Sequence, residues 1–133
     1  MKAQMHVDVE RIMLTEAEMQ ARIKEIAGKL DLIYKDKNPV MVCILKGSIV
    51  FFSDLIRNMS AKMELDLMSV SSYGAGTTSG ELKIKQDLRT NIEGRDVLVV
   101  EDIIDSGNTM YALKEMLKTR NPASLRIVTL LDK

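Results

Sequence analysis

The sequence predicts an α/β fold, a Rossmann-like parallel sheet flanked by helices, and three observations carry that prediction. Short, continuous apolar runs such as VMVCIL at 40–45 and VLVV at 97–100 have the composition of strands covered on both faces. Segments with apolar residues at helical spacing fall between those runs. The chain has 133 residues, enough for one core and too few for two ordinary domains. Strands alternating with helices connect by right-handed crossovers, which lay them parallel with helices on both faces.

The elements follow in order. Thr15-Glu16-Ala17-Glu18 spells a capping box, and Met19, Ile23, Ile26, Ala27, Leu30 and Ile33 continue at helical spacing, predicting an amphipathic helix that ends near Lys37-Asn38-Pro39. After the proline, Val40 to Leu45 is the first buried strand. Lys46-Gly47-Ser48 breaks it, and IVFFSDLIRNM returns to helical spacing. Leu65 to Tyr73 has the β-branched and alternating character of a second strand, and the Gly/Ser/Thr tract that follows it, within a loop of about 72–81, reads either as a solvated connection or as a flap. Leu82 to Ile84 can form a short strand, Gly94-Arg95 a turn, Val97 to Val100 a third buried strand, Thr109 to Lys118 a helix, and Ser124 to Leu131 a last strand. The whole chain, 1–133, reads as one domain without repeats.

Composition removes several function classes. Lys plus Arg number 19 and so do Asp plus Glu, so no global field attracts nucleic acid or an acidic membrane surface, and any anion site is local. A single cysteine, Cys43, rules out an internal disulfide and a cysteine-based zinc site, and its apolar setting marks it as a small core residue. The first residues, MKAQMHVDVE, lack the apolar core of a signal peptide, and no run reaches membrane-spanning length, so the expected compartment is the cytoplasm. His6 and the ten methionines suggest no chemistry of their own.

Chemistry concentrates in VLVVEDIIDSGNTM, residues 97–110. In a parallel α/β sheet, ligands gather at the carboxyl ends of the strands, which is where this run delivers Glu101. The turn Asp105-Ser106-Gly107-Asn108-Thr109 then opens a helix whose free N–H groups and positive dipole end suit a phosphate. Gly107 permits close backbone approach, and Ser106 and Thr109 add hydroxyl donors; Asn108 contributes backbone only. The spacing is not that of a nucleoside triphosphate loop, and the turn has no lysine. A carboxylate repels phosphate, so Glu101, Asp102 and Asp105 must face something else: a hydroxyl, a metal ion or a transferable proton. If the strand persists past Val100, Glu101 and Asp102, side by side, project in different directions, which suits two ribose hydroxyls, or Mg²⁺ and its waters, better than one bidentate unit. A lone D-S-G would be a helix cap. The full run directly after a buried strand points instead to a ligand with a phosphate and a diol, such as a phosphorylated ribose.

These residues resemble the phosphoribosyl pyrophosphate (PRPP) motif of type I phosphoribosyltransferases, and E-D-I-I-D-S-G is similar to the hypoxanthine-guanine branch in particular. Leu45-Lys46-Gly47-Ser48 resembles the family's pyrophosphate loop, and SSYGAGTTSGELKI its catalytic loop. The resemblance implies transfer of the phosphoribosyl group from PRPP to hypoxanthine or guanine, giving IMP or GMP and pyrophosphate. It implies that Glu101 and Asp102 hold the ribose hydroxyls with Mg²⁺ as cofactor, and that Asp105, Ser106, Gly107, Asn108 and Thr109 hold the 5′-phosphate. Asp105 would exchange a proton with purine N7, Ile104 would lie against the base, and Lys46 with Gly47 would contact pyrophosphate after a non-proline cis peptide. Ser72 and Tyr73 would close over the site with the glycine-rich loop, now read as a flap.

The sequence ends at Lys133, before the family's purine hood, whose C-terminal part is therefore expected to be absent. Lys133 does not take the role of the hood's purine-reading lysine. This leaves an alternative: a core that binds PRPP or a nucleotide with little or no turnover. Apolar surface uncovered in that way favours self-association, as a homo-dimer or homo-tetramer. An RNA-binding regulator on the same fold is the weakest reading, because no Arg/Lys stripe is present. No nucleic-acid or membrane partner is expected.

Overall fold

The computed structural model describes residues 15–72, 82–104 and 107–132, with the backbone alone at 72, 102–104, 107–108 and 131–132. The order is α1 (Glu16–Ile33), β1 (Val40–Ile44), α2 (Ile49–Arg57), β2 (Glu64–Ser72), β3 (Leu82–Gln86), β4 (Asp96–Ile104), α3 (Gly107–Lys118) and β5 (Ser124–Asp132). The five strands form one sheet in the order β3-β2-β1-β4-β5.

Four strands are parallel, as the alternation of elements predicts: β1 pairs with both β2 and β4, and β4 with β5. The expectation of a wholly parallel sheet needs one correction, because β3 runs antiparallel to β2, with Ser72 opposite Leu82 and a register shift between Ser69 and Val70. A parallel partner needs a crossover of a dozen or more residues, usually a helix. Only residues 73–81 separate β2 from β3, so the chain turns straight back.

Every residue of β1 is buried, and its alternation sends side chains into two cores. Met41 and Cys43 pack with Leu98 and Val100 of β4 under α1 and α2, whose contributions include Ile23, Ala27, Leu30, Phe52 and Leu55. Val40, Val42 and Ile44 face the other way with Val97 and Val99, toward Met110, Leu113 and Leu117 of α3. Helices therefore cover both faces. Cys43 is completely buried, as a core residue should be.

The capping box at the start of α1 forms as the sequence predicts. The Glu18 N–H donates to Thr15 Oγ1 at 3.0 Å, and the Thr15 N–H donates to Glu18 Oε1 at 2.8 Å. Thr15→Ala is expected to cost about 1 kcal/mol in a denaturant melt, the usual effect of deleting a capping hydroxyl. At the other end of α1, Asp31 accepts from the N–H groups of Ser60 and Ala61 at 2.9 Å, tying the helix to the connection that leads into β2.

Two further carboxylates fasten the β3–β4 connection. Asp66, buried on β2, accepts from the Arg89 and Thr90 N–H groups at 2.9 Å each. Asp87, just after β3, receives a two-pronged bond from Arg120 beyond the end of α3, both arms 2.9 Å. The Arg120 guanidinium is the main reason the Asp87 carboxyl sits below its ordinary value; partial burial opposes it and the Leu88 N–H assists it. This pair is partly exposed, so Arg120→Ala is expected to lower stability by no more than about 1 kcal/mol, and less in high salt.

Candidate functional site

The site follows from strand order. From β1 the chain leaves through α2 to β2 on one side, and from β4 through α3 to β5 on the other. The crevice between the carboxyl ends of β1 and β4 is thus the point where the winding reverses, the usual ligand position in an open α/β sheet.

Register fixes what lies there. Cys43 is opposite Val100, so the next residues bring Ile44 beside Glu101, and β1 ends while β4 continues to Ile104. Beyond that point β4 is paired through Glu101–Thr129, Ile103–Leu131 and Ile104–Asp132, all with β5. The strand therefore persists through the acidic pair, the condition under which Glu101 and Asp102 take consecutive strand positions.

Against this overhang lies the turn 45–48. Its first peptide, Leu45–Lys46, is cis, as the family resemblance implies for the bond before the lysine. The turn is held by its own backbone: the Leu45 N–H donates to Met68 O at 2.9 Å, the Ile49 N–H to Lys46 O at 3.1 Å, and the Phe52 N–H to Ser48 O at 2.8 Å. Lys46 and Gly47 are exposed, whereas Ser48 is fully buried. Among the described residues no carboxylate pairs with Lys46, so its ammonium is available to an incoming anion. The Ser48 hydroxyl donates to Glu101 Oε1, directly linking the turn after β1 to the end of β4.

Helix α3 begins at Gly107, takes in Asn108 and Thr109, and has no acidic residue in its first turn, which leaves the positive end of its dipole unopposed from within the helix. Ser72, the last residue of β2, lies opposite Leu82, the first residue of β3, at the carboxyl edge of the sheet. Tyr73, Asp105 and Ser106 lie outside the described residues. The structure thus brings together Lys46, Gly47 and Glu101 by side chain or backbone, and the backbone of Asp102, Ile104, Gly107, Asn108 and Thr109 along the chain that follows.

Sequence reasoning gave Ser48 no role. A serine after Lys-Gly at the start of a helix reads as an N-cap, yet its side chain makes no capping bond. Its partner lies 53 residues away, and only the adjacency of β1 and β4 brings the two together.

The donor set fits Mg²⁺ of one kind. Among the described residues no group of three His, Cys, Asp or Glu side chains gathers to hold an ion. Glu101 with Asp102 next in the strand suits an ion that keeps its waters and takes further oxygens from a phosphorylated ligand, the habit of Mg²⁺.

Comparison with known proteins agrees with this geometry. The profile of the phosphoribosyl transferase domain matches residues 12–133. The chain is 49% identical over 126 residues to the hypoxanthine-guanine-xanthine phosphoribosyltransferase of Tritrichomonas foetus, covering 95% of this chain and 69% of that protein. It is 46% identical over 127 residues to the hypoxanthine-guanine phosphoribosyltransferase of Bacillus subtilis, covering 95% of this chain and 71% of that one. The crystal structure of a hypoxanthine phosphoribosyltransferase from Staphylococcus aureus superposes with a TM-score of 0.87 at 41% identity, over 98% of this chain and 73% of that one. Each of these relatives is longer than the present sequence. With the profile spanning nearly the whole chain and the sheet matching in three dimensions, the chain belongs to the phosphoribosyltransferase family, in its hypoxanthine-guanine branch.

Proposed function

We propose that the chain transfers the 5-phosphoribosyl group from PRPP to hypoxanthine or guanine, forming IMP or GMP and pyrophosphate. The observation that carries this reading is the meeting of the Lys46-Gly47 turn with Glu101 at the sheet's switch point, on a chain close in sequence to enzymes named for this activity.

In the reaction, purine N9 bonds to C1′ as the C1′–O bond to pyrophosphate breaks, leaving positive charge on the ribose and negative charge on the departing group. Lys46, exposed beside Gly47, answers the negative charge. Glu101 and Asp102 orient the ribose through its two hydroxyls. The residues from Asp105 to Thr109, with the N-terminus of α3, hold the 5′-phosphate. Ile104 lies against the base, and Asp105 takes the purine proton and can return it. Ser72 and Tyr73, at the start of the glycine-rich segment, exclude water from the oxocarbenium-like centre. Glu101 and Asp102 would hold Mg²⁺, which when bound would supply positive charge against the phosphates.

The decisive test is IMP formation from PRPP, Mg²⁺ and hypoxanthine by this 133-residue chain. Absence of product under saturating PRPP would overturn the proposal. Lys46→Ala is expected to lower kcat/KM for PRPP roughly 100-fold, the order seen when one preorganised charge-stabilising donor is deleted, with little change in KM for hypoxanthine. Exposed Ile49, Val50, Leu65 and Leu67 support the expectation of a homo-oligomer, which sedimentation would read. No helix among the described residues is long and apolar enough to cross a membrane.

A further inference from the structure

Ser48 occupies the N-cap of α2, a position where serine ordinarily accepts a hydrogen bond from the helix's own N–H groups. Here it does not. Its side chain makes no capping bond, its backbone is already helical at φ −86° and ψ 0°, and its hydroxyl donates to Glu101 Oε1 instead. The residue is completely buried, one of only two buried polar or charged side chains among the described residues. A hydroxyl withdrawn from water and from its local helix, and directed at a carboxylate on another strand, is placed for that carboxylate.

The consequence lies in what each partner is attached to. Ser48 closes the turn that presents Lys46 and Gly47, and Glu101 is the first acidic residue where β4 outruns β1. We propose that Ser48 is a positioning residue: it holds the Glu101 carboxylate and locks the pyrophosphate-facing turn to the ribose-facing strand, so that both ends of PRPP meet one preorganised unit. The proposal rests on the reading of Glu101 as a ribose ligand given above. A hydrogen bond to an ionised group that also fixes a rotamer lowers the ordering cost of ligand binding, and its loss falls on affinity more than on the chemical step.

A double-mutant cycle tests this, with the affinity of each full-length variant for PRPP in excess Mg²⁺ read by calorimetry and the folded state checked by thermal melting. Ser48→Ala is expected to weaken PRPP binding about tenfold while leaving the cap of α2 untouched, since no capping bond is lost. Glu101→Ala weakens binding on its own, and Ser48→Ala added to Glu101→Ala is expected to produce no further loss, the mark of two residues acting as one unit. Where turnover is measured, Ser48→Ala raises KM for PRPP more than it lowers kcat; a loss of folded protein would lower the apparent kcat and leave KM unchanged. Additive losses in the cycle, or an unchanged affinity in Ser48→Ala beside a weakened Glu101→Ala, overturn the positioning role alone. An unchanged affinity in Glu101→Ala overturns the assignment of Glu101 to the ribose, and the present proposal with it.

Discussion

Asp105→Asn is expected to lower kcat for IMP formation by roughly 10²- to 10⁴-fold, the range by which general acid–base groups accelerate proton transfers, and to leave PRPP affinity within a few-fold of the parent. The choice of asparagine makes the experiment discriminating. Asparagine has nearly the shape of aspartate and serves turns and helix starts about as well, so if Asp105 served only to shape the chain leading into α3 the variant would fold and turn over normally. An amide cannot accept the purine N7 proton at neutral pH, so a catalytic Asp105 fails in that variant while the 5′-phosphate still finds the backbone donors at the start of α3. Measuring kcat and PRPP affinity side by side separates the two roles. Unchanged kcat would remove Asp105 from the proton transfer and leave it a turn residue ahead of α3.

Much of the fold was legible because burial and backbone geometry act locally. Thr15 and Glu18 are three residues apart, and their reciprocal capping bonds need no tertiary information. The apolar run of β1 is wholly buried because both its faces meet helices, the condition under which a strand loses its polar alternation. The reading weakened wherever the deciding partner was distant. Val97 to Val100 marked the apolar part of β4, but the strand runs on to Ile104 because β5 continues beside it, and that pairing is invisible in a segment that opens on glutamate and aspartate. The direction of β3 was missed for a related reason: LKIKQ alternates as any strand does, and nothing within it states that the chain has turned straight back.

The site divides along the same line. The proposed phosphate turn and the acidic pair stood out in the sequence because they are contiguous and follow a buried strand. The cis bond at Leu45–Lys46 was expected from the family resemblance, since no property of leucine or lysine announces it. Ser48 was passed over because its meaning depends on a partner that arrives 53 residues later. Asp66 escaped for the same reason, reading as the polar half of an alternating strand although it is buried and its distant donors come 23 and 24 residues later.

Asp66 carries the second large effect, on stability. Its Oδ2 accepts from the Arg89 and Thr90 N–H groups and its Oδ1 from the Leu67 N–H, at 2.9, 2.9 and 2.8 Å. Burial alone would push this carboxyl up. The Thr90 N–H, the Leu67 N–H, the Thr90 hydroxyl and the Arg89 N–H together outweigh burial and hold it below its ordinary value of 3.8. Asp66→Ala strips an acceptor from three backbone donors at once, so it is expected to destabilise the protein by about 3 kcal/mol, a drop of roughly 10 °C in melting temperature. Asp66→Asn is no rescue, because its single carbonyl can serve the Oδ1 donor or the Oδ2 donors but its NH₂ must then confront the other. The sign of the pH dependence follows from the lowered value: the ionised form is favoured by folding, so the contribution is complete above the unfolded carboxyl's range. It then declines as pH falls from near 4 through the lower folded-state value. Denaturant melts of the parent and Asp66→Asn should therefore be furthest apart at neutral pH and converge on acidification. A constant gap down to pH 2 would show that the side chain's shape, rather than its charge, holds the connection.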